Sequence, residues 1–215
     1  MKKIIGILSL ICLFLLGGCS ENSQSSTRPS SSTTTASTND LAKNTGADKL
    51  VSNSNNSNIA IVYYSLTGAT EDVAKEIQAQ TNGDLYPITT VEAYPEAYSD
   101  VLEVVRQQQA ENQLPELQSM AIDLAEYETI FIGSPIWFGS CSLPTQQWLT
   151  ENELAGKTIH PFFTSGSSGI ATANAEIESL AEDAMVSEGL GITDKDKSNA
   201  ENLIASWLEA KERSL

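Results

Sequence analysis

The sequence is short of cysteine, histidine and positive charge, and each shortage removes a class of function. Its three cysteines, Cys12, Cys19 and Cys141, stand too far apart for a CxxC pair or any zinc-ligand spacing, which excludes a structural metal site of that kind. The single histidine, His160, falls within a run that reads as a strand, and with no second histidine and no GxSxG elbow a hydrolase triad has no support. Lys and Arg number 12 against 28 Asp and Glu, a formal net charge of -16, and so acidic a chain repels nucleic-acid phosphates. Long apolar runs are missing too: the 13-residue run from Ile4 to Leu16 falls short of the ~20 residues that a membrane-spanning helix needs. What is present suffices for folding, because 215 residues at 40% hydrophobic build a core, with one domain as the default.

The N-terminal segment reads as an export signal. Lys2 and Lys3 precede the apolar run, and Gly17 and Gly18 follow it before Cys19. Leu16-Gly17-Gly18-Cys19 resembles the lipobox of bacterial lipoproteins, and the resemblance implies a signal peptide over residues 1–18 and a diacylglycerol on Cys19. Residues 19–57 read as a tether. From Ser20 to Asn58, 24 of 39 residues are Ser, Thr or Asn, too polar to offset the entropy of ordering. As a random coil such a tether spans roughly 30–40 Å. The expected location is the outer face of the bacterial cytoplasmic membrane. Residues 58–215 retain 25 of the acids and 7 of the bases, a net charge of -18, so the acidity belongs to the domain.

That domain alternates strand and helix. Ile59 to Tyr64 is a gapless β-branched and aromatic run, as in a strand buried on both faces, and Val73, Ala74 and Ile77 then recur at helical spacing. Leu85 to Ile88 reads as a short second strand with Pro87 favouring an edge, and Glu96 to Gln109 as a helix with Val101, Leu102, Val104 and Val105 inward. Thr129 to Ile132 is the third strand, followed by a loop from Gly133 to Gly139 and a helix opened by Pro144. Thr158 to Phe163 is the fourth strand. Ile177, Leu180, Ala181 and Ala184 mark a helix face, Met185 to Ile192 the fifth strand, and Leu203, Ile204, Trp207 and Leu208 the last helix. Five strands alternating with helices predict an α/β fold, a doubly wound parallel sheet covered on both faces.

In such sheets ligands bind outside the carboxyl ends of the strands. Three unusual loops stand there, at 65–70, 133–141 and 164–170. The first precedes a helix N-terminus, where free N–H groups and the helix dipole attract an anion; Ser65, Thr67 and Thr70 add hydroxyls, and Gly68 permits close approach. A phosphate monoester is the anion expected. The loop lacks the Gly-Lys-Ser/Thr ending of nucleotide-triphosphate loops and the GxGxxG dinucleotide fingerprint. Ser65-Leu66-Thr67-Gly68-Ala69-Thr70 instead resembles the phosphate loop of flavodoxins, Ser/Thr-x-Thr-Gly-x-Thr, at every specified position. The resemblance extends over nearly all of residues 58–215, with Gly133 to Gly139 and Thr164 to Gly169 where that family places its second and third flavin loops.

The resemblance implies a flavodoxin-like sheet of order 2-1-3-4-5 and FMN as cofactor. It places the phosphate on Ser65, Leu66, Thr67, Gly68, Ala69 and Thr70, and the flavin ring against Ser134, Pro135, Ile136, Trp137 and Phe138 and against Thr164, Ser165, Gly166, Ser167 and Gly169. A flat polarizable ring needs an aromatic partner, and Trp137 is the candidate for stacking. Tyr94 and Tyr98 read as core or rim packing, with a cap on the flavin site from the loop after the second strand as the alternative, and Cys141 as a small buried filler rather than a redox partner. Asp194-Lys-Asp-Lys-Ser198 mimics the start of a calcium loop, but Asn199 and Ala205 stand where Gly and Glu are required.

The expected function is an exported FMN protein that carries electrons between redox partners, one of them basic. An FMN-dependent NAD(P)H or quinone oxidoreductase, and a flavin-free binding lipoprotein on the same fold, remain open alternatives. No catalytic side chain is required, and the net negative charge is expected to disfavour a negatively charged flavin and so lower its potential.

Overall fold

The computed structural model describes residues 58–212; the expected signal peptide (1–18), lipidated Cys19 and tether (19–57) lie outside the described residues. The gapless run forms β1 (Ile59–Tyr63), flanked in parallel by β2 (Asp84–Pro87) and β3 (Thr129–Trp137). At the end of β3 the two-residue β4 (Ser140–Cys141) folds back antiparallel. On its far side β3 pairs in parallel with β5 (Thr158–Ser165), whose outer edge carries β6 (Met185–Val186) and β7 (Leu190–Thr193). With β6 and β7 taken as the two halves of the fifth main strand, the order is the expected 2-1-3-4-5.

Alternate residues of β1 feed two cores, which is why its sequence has no polar gaps. Ile61 and Tyr63 pack with Val73, Ala74 and Ile77 of α1 (Ala69–Thr81) and Ile204 of α5 (Ala200–Glu212). Ala60, Val62 and Tyr64 face the other way, into a cluster with Trp148 and Leu149 of α3 (Leu143–Glu151) and Ala173 and Ile177 of α4 (Ala171–Leu180). Near that cluster, Val101 and Val105 of α2 (Tyr98–Glu111) pack on Leu143, while Leu102 and Val104 are only partly buried. Helices thus cover both faces of the sheet.

Two departures from the sequence pattern are explained by proline. The fifth strand breaks at residues 187–189: Ile159 pairs with Val186 and Phe162 with Leu190, so the edge strand carries one extra residue. Ser187 N–H donates to Ile159 O, so the polar groups of Pro161, two residues on, face the same edge, where the ring leaves no N–H to donate. The third strand, by contrast, runs on through Gly133 to Trp137, a stretch expected as loop. Tyr64 N–H donates to Gly133 O, so Pro135 faces the side on which β1 has just ended, and no ladder bond is forfeited. Phe138 (φ 51°) and Gly139 (φ 88°) then form a tight two-residue turn into β4. Ala184, expected on the helix face, lies beyond α4, because Ala181 leaves helical geometry (ψ 64°).

His160 on β5 is nearly fully buried, with Nδ1 2.8 Å from Ser187 Oγ and its ring against Phe131 and Trp207. Burial, helped by the nearby Lys211 charge, lowers its pKa to about 4. The unfolded chain then takes up the proton first. Stability attributable to His160 is therefore complete above the unfolded pKa of about 6.5 and is lost as pH falls towards 4, by about 2 kcal/mol once solvent screening is allowed for. Urea unfolding of the wild type should weaken between pH 6.5 and 5 in a way that His160→Gln does not; parallel curves would contradict this.

Candidate functional site

Three strand ends converge on one cleft of about 560 Å³, within the range of small-molecule sites. From the β1 end come Leu66, Thr67, Ala69 and Thr70; from β3, Pro135, Ile136 and Trp137; from β5, Thr164, Ser165 and Gly166. The sheet order makes these neighbours, and a direct link confirms it: Thr70 Oγ1 and Thr164 Oγ1, far apart in sequence, are hydrogen-bonded at 2.8 Å.

The 65–70 loop is shaped by short-range bonds. Gly68 N–H donates to Ser65 Oγ at 3.1 Å, and Gly68 takes φ 92°, with open space where a Cβ would stand. The first intrahelical bond of α1 is Asp72 N–H to Gly68 O, so the N–H groups of Ala69, Thr70 and Glu71 precede the helical ladder and are available to a ligand. This end of the cleft suits an anion. Trp137 lines the same cleft and is held edge-to-face by Tyr64 (centroids 5.6 Å apart) and Tyr94 (5.1 Å), which makes it a fixed apolar wall. Burial keeps both phenols protonated; it raises the Tyr64 pKa, and that of Tyr94 to about 12 despite the hydrogen bond from Tyr94 Oη to Gln108 Oε1.

Other residues read from the sequence stand off the cleft wall. Ser134 is fully buried, with Oγ accepting from Ser142 N–H at 2.7 Å and bonded to Ser142 Oγ at 3.1 Å, so its side chain supports the strand rather than facing the opening. Phe138 sits at the hairpin tip, half exposed, beneath the Arg106 guanidinium at 5.0 Å from the ring centre. Ser167 is exposed beyond the lining, and Gly169 borders a separate shallow depression with Gly139. Ser165 Oγ donates to Ser168 O at 3.0 Å and folds this third loop. Cys141 is buried; its N–H donates to Glu176 Oε2, and burial together with the Glu176 charge raises the thiol pKa, so no thiolate forms at neutral pH.

The cleft also includes the exposed Tyr98 at the start of α2, which the sequence allowed as a cap, and residues that the motifs did not indicate: Asp72 and Val73 near the start of α1, and Ile192, Asp194, Lys197 and Ala200 around the junction of β7 and α5. The last group was foreseeable from topology, since the connection after the fifth strand leaves from the same edge as the other three loops.

A cleft that combines the free N–H groups at the start of α1 with a pinned indole suits a ligand with a flat ring and a phosphate. Residues 58–211 match the flavodoxin family. A putative flavoprotein from Bacteroides uniformis is 28% identical, with 69% of this chain and 98% of that chain covered at a TM-score of 0.62. One from Bacteroides eggerthii is likewise 28% identical, over 71% of this chain and 96% of that one, with a TM-score of 0.62. A flavoprotein from Lactobacillus acidophilus, solved in complex with FMN, is 24% identical over 66% of this chain and 96% of that one, with a TM-score of 0.57. No curated protein matches the sequence. This chain belongs to the flavodoxin family.

Proposed function

We propose that this protein binds FMN in the 560 Å³ cleft and carries electrons between redox partners at the outer face of a bacterial cytoplasmic membrane, held there by a lipid on Cys19. The observation that carries the reading is the convergence of the start of α1, Trp137 and the Thr164–Gly166 backbone on one cleft. Those residues fit the cofactor: the N–H groups of Ala69, Thr70 and Glu71 and the hydroxyls of Thr67 and Thr70 receive the phosphate, Trp137 walls the ring, and the small third loop offers backbone donors to its edge. FMN, when bound, supplies the one- and two-electron chemistry. The protein's part is to hold it and to set its electrostatic surroundings. A domain with a net charge of -18 disfavours a negatively charged cofactor and attracts a basic partner.

The carrier role is tested by loading the full-length protein with FMN, reducing it chemically and mixing it with a basic haem protein. Fast transfer that slows as salt rises is expected. Sustained turnover of nicotinamide or quinone without any partner protein would contradict it and favour a self-contained oxidoreductase. For the anchor, Cys19→Ala should move the protein from the membrane to the soluble fraction; retention of the variant in membranes would contradict lipidation.

A further inference from the structure

The turn between β7 and α5 brings charge to the same cleft. It is held by its own hydrogen bonds: Asp196 Oδ2 accepts from both the N–H (2.9 Å) and the Oγ1 (2.5 Å) of Thr193, and Asp196 N–H donates to Thr193 O (2.9 Å). Asp194 N–H reaches Gly166 O in the third loop at 3.4 Å, which ties the turn to the cleft wall. Lys197 Nζ is 2.7 Å from Asp194 Oδ1, and both residues line the cleft together with Thr67, Ala69 and Thr70. Asp72, Asp194 and Lys197 are the charged residues among its described lining.

We infer that Lys197 is a specificity residue that selects the phosphorylated flavin over the unphosphorylated one, with Asp194 as the competing anion that restrains it. This rests on the FMN reading of the cleft. The selection is electrostatic. A phosphate monoester entering this site meets a domain with a net charge of -18, and the first turn of α1 carries Glu71 and Asp72, which offset the helix dipole. Glu71 is paired with Lys75, whereas Asp72 lines the cleft. Lys197 is the lining cation, and its flexible stem with a largely exposed side chain lets the ammonium move from Asp194 to a phosphate oxygen. Among the described residues Asp194 is the one carboxylate paired with the ammonium, so the exchange trades one ion pair for another with a more highly charged partner.

The pair therefore predicts effects of opposite sign. In full-length protein, Lys197→Gln should weaken FMN binding roughly 5- to 10-fold, and Asp194→Asn should tighten it roughly 2- to 5-fold, while riboflavin, which lacks the phosphate, binds both variants as it binds the wild type. Lys197→Arg should retain most of the FMN affinity, and the Lys197→Gln effect should shrink as salt rises. Both flavins are titrated by quenching of their fluorescence. A Lys197→Gln variant that binds FMN as tightly as the wild type, or that loses FMN and riboflavin equally, overturns the inference. Failure of the wild type to bind either flavin is a different result; it overturns the FMN reading itself and takes this inference with it.

Discussion

Gly133→Ala should destabilise the domain by about 3 kcal/mol or more and lower its Tm by about 10 °C. Gly133 lies mid-sheet on β3, paired with Tyr63 on one side and Phe162 on the other. A Cβ there would stand 2.3 Å from Phe162 Cζ, 2.5 Å from Phe162 Cε2 and 2.8 Å from Tyr63 Cβ. Phe162 is fully buried against the α1 and α5 side, so its ring has no solvent to swing into, and Tyr63 Cβ is fixed to the backbone of β1. The sheet must part or the ring must leave its rotamer, and either cost is a large share of a typical stability of about 5–15 kcal/mol. Phe162→Leu in the same chain should recover part of the loss, because the two substitutions act on one contact. An unchanged Tm for the single variant would mean that Phe162 does not seat on Gly133.

Trp137→Ala should weaken FMN binding by about 10- to 100-fold, the range in which a stacked aromatic wall contributes about 1–3 kcal/mol. The indole is not a free rim residue: Tyr64 and Tyr94 hold it edge-to-face, and it packs against both the α3–α4 core cluster and the Val101–Val105 cluster. Its removal must therefore cost stability as well as affinity. The two effects separate by measurement. Trp137→Phe should retain most of the FMN affinity while losing part of the packing, and Trp137→Ala should lose both. A lower Tm with unchanged FMN affinity would reduce Trp137 to a packing residue.

What could be read in the sequence follows from how locally each feature is determined. The run from Ile59 to Tyr63 reads as a doubly buried strand because it is β-branched and aromatic with no polar gap, and the structure buries its alternate residues in two separate cores. Loop 65–70 is legible because its hydroxyls, its glycine and the helix start are contiguous. The extension of β3 to Trp137 was not: Gly-Ser-Pro reads as loop unless it is known that Ser134 is satisfied by Ser142 and that Pro135 faces the side where β1 has ended. The break in the edge strand likewise depends on Pro161, a residue of the neighbouring strand. Asp194 and Lys197 lie more than a hundred residues from the 65–70 loop with which they line the cleft, and in sequence they read only as a defective calcium loop. Where a residue's role is fixed by a partner distant in the chain, local pattern is silent.

Direct titration of the full-length protein with FMN tests whether the three loop ends form a flavin site. A one-to-one complex with Kd of about 1 μM or tighter, equivalent to about 8 kcal/mol, is expected, with a visible flavin spectrum that stays with the protein through gel filtration. Protein that elutes colourless after incubation with excess FMN would contradict it.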